Sequence, residues 1–169
     1  MADFIAQYFT LYELVRSNRA ETLHIDNSPK EAHIFANLGA LATNTLDPLR
    51  KLLDAPVSVS SGYRCSTLNR ALGGARDSQH TFGEAADIRV KGIDCYDAAL
   101  RIFDAEIDFD QLISENKWDH KTGSWISWLH ISCRRMGINR REVLTSHRGP
   151  SQSKMIYERG LFDPRIERA

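Results

Sequence analysis

The chain has 169 residues, a length that suits one domain with a buried core of its own. Its 22 basic and 22 acidic side chains balance, which excludes a strongly basic surface of the kind that attracts nucleic acid or an anionic membrane. No apolar run approaches the roughly 18 residues of a membrane-spanning helix, so we expect no membrane insertion.

Two helix starts are predicted in the N-terminal part. Thr10 and Glu13 have the spacing of a capping box, in which each side chain accepts a hydrogen bond from the other residue's backbone, so a short helix should follow Thr10. Ser28 and Pro29 predict a second helix with proline in its first turn, which Pro48 should bend or restart. The positions that recur there at helical spacing are Ile34, Leu38, Leu41, Thr45 and Leu49.

Alternating residues predict strands in the second half of the chain. The predicted strands are residues 57–60, 86–90, 109–114 and 126–132. Gly73-Gly74 should end a short helix before the second strand, and Asp94 should cap a helix after it. A polar loop that contains Trp118 and His120 separates the last two strands. Helices first and a small antiparallel sheet after them predict an α+β fold.

The chain changes character at Ser146. From there it is rich in Gly, Pro, Ser and charged residues and offers little apolar surface. We therefore interpret residues 1–145 as one domain and residues 146–169 as a C-terminal tail or peripheral arm.

A candidate metal site is spread over two segments. His80 and Asp87 lie on either side of a Gly-containing bend, which lets both side chains point into one pocket. Alternation in the last predicted strand places His130 on the same face as Trp128 and Ser132. Two imidazoles and one carboxylate would hold zinc with a fourth position open, the arrangement of catalytic rather than structural zinc sites. We therefore predict a single zinc site carried by the sheet.

Three blocks of sequence add to this pattern. They are Ser61-Gly62-Tyr63-Arg64, then Ser78-Gln79-His80 with Gly83 and Asp87-Ile88, and finally Trp128-Leu129-His130-Ile131-Ser132. In this order they resemble the zinc D-Ala-D-Ala carboxypeptidase family, in its small bacterial and phage branch. That family shares a superfamily with lysostaphin-type endopeptidases and the zinc domain of hedgehog proteins. The likeness covers most of the chain but not the segment after Ser146.

The resemblance implies a role for each matching residue. By position, His80, Asp87 and His130 would bind zinc, and Arg64 would be a catalytic residue that faces the substrate. The planar guanidinium of Arg64 suits two parallel hydrogen bonds to a carboxylate of a peptide. Ser61 and Gln79 are expected to add hydrogen bonds to the ligands or the substrate, as is Ser132.

The general base cannot be assigned by matching this chain to the family position by position. Many relatives have an acidic residue three positions before the last histidine ligand, where this chain has Ser127. The segment that ends in Glu115 resembles the strand that leads into the metal strand in the hedgehog-like and small phage branches. Glu115 is therefore predicted to act as the general base. His120 and Glu84, which lie near these motifs, are interpreted as a loop histidine and a turn carboxylate without a ligand role.

The resemblance implies a metallopeptidase that uses Zn²⁺ to hydrolyse D-amino-acid-containing peptide bonds of bacterial peptidoglycan, with the stem peptide as its partner. A D-Ala-D-Ala carboxypeptidase and an endolysin-type endopeptidase both remain open, as do a bacterial and a phage origin. The alternative, which Ser127 keeps open, is a noncatalytic zinc-containing module that binds the cell wall or builds a virion. Residues 1–4 lack a basic region followed by an apolar run. We therefore expect a monomer made in the bacterial cytoplasm without a signal peptide and acting on the cell wall.

Overall fold

A computed structural model describes residues 5–166, in which a helical N-terminal part is followed by strands with two further helices and a 3₁₀ turn between them. The helices are α1 (Leu11–Val15), α2 (Asn18–Thr22), α3 (Ala32–Leu41), a π-helical turn (Ala42–Leu46), α4 (Asp47–Leu53), α5 (Ser66–Ala71), a 3₁₀ turn (Gln79–Phe82) and α6 (Cys95–Asp104). The strands are β1 (Val57–Ser61), β2 (Ala85–Val90), β3 (Gln111–Asp119), β4 (Ser124–Ser132), β5 (Glu142–Arg148) and β6 (Ile156–Arg159). The predicted α+β class is confirmed. Residues 1–4, on which the expectation about a signal peptide rested, and residues 167–169 lie outside the described part.

The predicted capping box forms at the start of α1. Thr10 Oγ1 accepts a hydrogen bond from the Glu13 backbone at 3.2 Å, and Glu13 Oε2 accepts one from the Thr10 backbone at 2.8 Å. This helix has one buried residue, Leu14, whose carbonyl accepts a hydrogen bond from the Tyr63 backbone at 2.7 Å. A helix of five residues is marginal by itself, so this contact with the segment after β1 helps to hold it.

The predicted second helix begins later than expected. α3 starts at Ala32, so the prediction of a start at Ser28-Pro29 was wrong. The Asn27 side chain explains the delay because it donates to the carbonyls of Val15 and Tyr63 and accepts from the Cys65 backbone. These contacts fix the chain before Pro29 against distant segments. The predicted restart near Pro48 is confirmed, since α4 begins there after the π-helical turn.

Among residues 5–166 the six strands form one sheet in the order β1-β2-β4-β3-β5-β6. Neighbouring strands are antiparallel except β3 and β5, which run parallel. One face of the sheet packs against α6 and buries Ile88, Leu112 and Leu129 in the core. The opposite face carries polar side chains and opens into a cleft. Trp118, expected in a loop, lies in β3, which extends to the hairpin with β4.

The end of the chain joins the sheet. The boundary expected between residues 145 and 146 falls inside β5 (Glu142–Arg148), and the segment expected to be a tail or peripheral arm also contributes β6 (Ile156–Arg159) to the sheet. The sequence hides these strands because β6 lies at the sheet edge and β5 buries the polar residues Thr145 and Ser146 rather than apolar ones. Arg165 then donates two hydrogen bonds to Asp94, at 2.7 and 2.8 Å, which attaches the end of the described chain to the start of α6.

None of the helices in the described part is long and apolar enough to cross a bilayer.

Gly62 lies where the segment after β1 crosses α1. A Cβ atom at this position would lie 2.2 Å from the carbonyl oxygen of Leu14, which is backbone and cannot rotate away. Overpacking of this kind is typically destabilising, so Gly62→Ala should cost about 2 kcal/mol. In a chain of this length that lowers the midpoint of thermal unfolding by roughly 4–8 °C.

Gly39→Ala is the matched control because Gly39 lies inside α3 with ordinary space around it. The nearest atom to an added Cβ is Ile5 Cγ1 at 3.9 Å. Alanine is the better helix former, so this variant should be more stable by about 0.5–1 kcal/mol. Equal melting temperatures for the two variants would contradict the close approach of Gly62 to Leu14.

Candidate metal centre

Three buried side chains from different elements meet on the cleft face. His80 comes from the 3₁₀ turn, Asp87 from β2 and His130 from β4, where it pairs directly with Asp87. Asp87 Oδ1 lies 3.2 Å from His80 Nε2 and 3.1 Å from His130 Nδ1. One ligand atom from each residue lies within 4.8 Å of the others, close enough for all three to share an ion.

The hydrogen bonds of His80 decide which of its nitrogens faces this cluster. A carbonyl oxygen can only accept, so His80 Nδ1 carries a proton and donates it to the Gly62 carbonyl at 2.8 Å. A neutral imidazole has one N–H, and Nε2 therefore presents a lone pair to Asp87. This is the second contact that metal-binding histidines usually make, since it fixes the tautomer and the ring orientation.

The arrangement of lone pairs tests whether a metal fits. His80 Nε2 and Asp87 Oδ1 are two acceptors 3.2 Å apart, which is favourable only with a positive charge between them, either a proton or a metal ion. Burial lowers the pKa of His80 more than the neighbouring Asp87 raises it, and this disfavours the proton. Two imidazoles and one carboxylate match the donor set of catalytic zinc. The residues present therefore fit a divalent metal.

Arg64 holds the other oxygen of the carboxylate. Its Nη2 donates to Asp87 Oδ2, and its Nε donates to Ser61 Oγ at 2.8 Å. The two carboxylate oxygens thus have separate tasks, one toward the histidines and one toward Arg64. Burial alone would raise the pKa of Asp87, yet its pKa lies below the ordinary value, and the hydrogen bond from the Arg64 guanidinium favours the ionised carboxylate.

Only some of the residues predicted to bind substrate line the cleft. Arg64 and Gln79 line the cleft, whereas Ser61 supports Arg64 and does not line it. Gln79 Nε2 donates to Asp110 at 2.9 Å, and its Oε1 is buried without a partner in the described part of the chain. The Ser132 hydroxyl accepts from the Gln111 backbone rather than contacting a ligand. The pairing of Arg64 with Asp87 was missed, because the sequence does not show that the two meet.

Glu115 lies on β3 directly opposite Trp128, and both side chains line the cleft. Burial, with a further contribution from the negative charge of Asp87, raises the pKa of Glu115 to about 7. Its Oε2 accepts a hydrogen bond from the Ser146 hydroxyl at 3.4 Å. A carboxyl group with this pKa can take up and release a proton near neutral pH, as a general base must.

The cleft has a volume of about 590 Å³ and extends well beyond the three ligands. Arg134 and Arg140 line it, and both pair with the buried Asp110. Tyr157, from β6, lines it as well, and nothing in the sequence pattern indicated this. His120 is exposed beyond β3, and neither it nor Glu84 belongs to the cluster found among residues 5–166.

A family model described as Peptidase M15 matches residues 7–120 of the chain. The match includes His80, Asp87, Arg64 and Glu115 but ends before His130, so the geometry alone brings His130 into the site. No curated protein matches the chain.

Proposed function

We propose that this chain, which belongs to the peptidase M15 family, hydrolyses D-amino-acid-containing peptide bonds of bacterial peptidoglycan with the help of zinc. The family supports a metallopeptidase, and the cluster of His80, Asp87 and His130 is able to hold a metal. One observation gives the strongest support to this proposal. A lone pair of a buried histidine faces a buried carboxylate, an arrangement that a divalent cation completes.

The proposed ligands are His80 Nε2, His130 Nδ1 and Asp87 Oδ1. The chemistry that zinc supplies in such a site is polarisation of the scissile carbonyl and an increase in the acidity of water. Gly62 orients His80 through its carbonyl, and Arg64 orients the carboxylate of Asp87. These outer contacts orient the donor atoms of His80 and Asp87 toward the proposed metal position.

Glu115 is the proposed general base. It removes a proton from the attacking water as the new carbon–oxygen bond forms, and it delivers that proton to the amine nitrogen as the peptide bond breaks. No covalent intermediate with the protein is required. Arg64, fixed by Ser61 and Asp87, presents a positive charge to the cleft, where a carboxylate of the stem peptide is its proposed partner.

The bond that is cut distinguishes two versions of this function. A carboxypeptidase removes terminal D-Ala, whereas an endopeptidase of the endolysin type cuts within the stem or cross-bridge. The experiment is a metal analysis of the purified protein coupled to mass spectrometry of its products from purified peptidoglycan. We expect about one zinc per chain and hydrolysis that a chelator abolishes. Free alanine as the sole product would exclude the endopeptidase.

The second candidate is a noncatalytic zinc-containing module of the cell wall or of a virion. Ser127 favours it, because the position that carries the base in many relatives has no carboxylate here, and its hydroxyl donates to Asn116 instead. Glu115 argues against it, since a raised pKa in the cleft suits catalysis rather than binding. Zinc-loaded protein that binds several types of cell wall but hydrolyses none would favour this module.

A further inference from the structure

One row of side chains crosses four neighbouring strands on the cleft face. Trp128 on β4 pairs with Glu115 on β3, Glu115 pairs with Ser146 on β5, and Ser146 pairs with Tyr157 on β6. Residues directly opposite each other on neighbouring strands project from the same face of a sheet. Tyr157 therefore lies on the same face as the proposed base, and both line the cleft that holds the metal ligands.

The hydroxyl of Tyr157 is available to a substrate. The residue is 56% exposed, and its hydroxyl forms no hydrogen bond with another side chain in residues 5–166. Burial of the ring, together with the negative charges of Glu115 and Asp87, raises the pKa of Tyr157, so the phenol keeps its proton at neutral pH. The cleft thus contains a neutral donor whose neighbours discourage its ionisation.

Two neighbouring side chains already donate hydrogen bonds within the protein. The Ser146 hydroxyl donates a hydrogen bond to Glu115, and Nη2 and Nε of Arg64 donate to Asp87 and Ser61. A carbonyl oxygen that becomes negative during hydrolysis is stabilised by donors held in place before the reaction. Tyr157 is a cleft side chain that combines a free O–H donor with a position in the row of the base.

We propose that Tyr157 is a further catalytic residue, whose hydroxyl donates a hydrogen bond to the carbonyl oxygen of the scissile peptide bond as negative charge develops there. The inference rests on the proposed function and deepens it. Water adds to the carbonyl carbon, the carbonyl electron pair moves to oxygen, and Glu115 takes the water proton. Tyr157 keeps its own proton throughout. When the carbon–nitrogen bond breaks, the electron pair returns and Glu115 protonates the amine.

The test is Tyr157→Phe, which removes one hydroxyl and leaves the ring. Loss of a transition-state donor should lower kcat roughly 10²-fold and change KM less than about two-fold. Zinc content and melting temperature should match those of the wild type. Tyr12→Phe is the control, because Tyr12 is 68% exposed on α1 and does not line the cleft; it should keep full activity.

A binding measurement gives a readout that is independent of turnover. A phosphinate analogue of the dipeptide at the cleaved bond, which mimics the tetrahedral oxyanion, should bind Tyr157→Phe about 10²-fold more weakly by calorimetry. An unchanged kcat in this variant, or a change in KM alone, would overturn the role of Tyr157 while leaving the proposed function intact. A wild type that binds zinc yet hydrolyses no cell wall would overturn the proposed function, and the role of Tyr157 with it.

Discussion

Replacement of Glu115 by Gln is expected to lower kcat for peptidoglycan hydrolysis by about 10³-fold, within the range that loss of a general base produces. The amide has nearly the shape of the carboxyl group but cannot take a proton from water or pass one to the leaving amine. Glu115 is not one of the three proposed ligands, so the zinc content should not change. Initial rates on purified peptidoglycan, with metal analysis of the same sample, check both expectations.

The metal-free protein offers a control that does not depend on catalysis. The pKa of Glu115 is raised from 4.5 to about 7 in the folded chain, so the folded state holds this proton more tightly than the unfolded state. The carboxyl group therefore favours folding at low pH, and its contribution is lost as pH rises from about 4.5 to about 7. At pH 8 the metal-free Gln variant should thus be more stable than the wild type, by up to about 3 kcal/mol.

The rate and the stability of Glu115→Gln together show whether Glu115 is the general base. A gain in stability at pH 8 together with lost hydrolysis identifies Glu115 as a buried catalytic carboxyl group. Wild-type rates in Glu115→Gln, combined with inactivation by a chelator, would show that another group is the base.

Replacement of His130 by Ala should weaken zinc binding on the order of 10³-fold, beyond the 10- to 100-fold typical of losing an outer contact to a ligand. His80 and Asp87 alone leave a metal with two protein ligands, too few for the three-ligand arrangement of catalytic zinc. Hydrolysis should be lost with the metal. Competition of the protein against a zinc-binding dye measures the affinity directly.

His120→Ala is the matched control for this variant. His120 is exposed between β3 and β4, outside the cluster, so its removal should leave zinc affinity and hydrolysis unchanged. Because His130 lies beyond residues 7–120, the experiment also tests the ligand that the family match does not cover. Unchanged zinc affinity in His130→Ala would remove the basis of the proposed site.

Local rules accounted for the parts of the fold that depend on neighbouring residues. The capping box at Thr10 and the cap at Asp94 were predicted from adjacent side chains, and both form. Strand alternation placed His130 and Trp128 on one face, and both line the cleft. The sequence could predict that the three ligands meet, because the bend between His80 and Asp87 and the strand position of His130 direct their side chains to the same face.

Long-range contacts account for what the sequence did not reveal. The start of α3 depends on Asn27 bridging segments that are 12 and 36 residues away. β6 has no apolar alternation, since it forms the edge of the sheet, so Tyr157 gave no signal of its position in the cleft. The contact of Ser61 with Arg64 also depends on a distant residue. Arg64 donates both to Ser61 and to Asp87, which lies on the neighbouring strand β2.

The strand order has a kinetic consequence. In the described chain β3–β4 and β5–β6 are hairpins, while β2–β4 and β3–β5 join segments that are distant along the chain. Such pairings bear the entropy of closing long loops before they gain contacts, and proteins rich in them fold more slowly than proteins rich in local contacts. Asp87 and His130 meet only when β2 reaches β4. A folding chain should therefore capture a cation only once this central pairing has formed, and ion uptake would report that step.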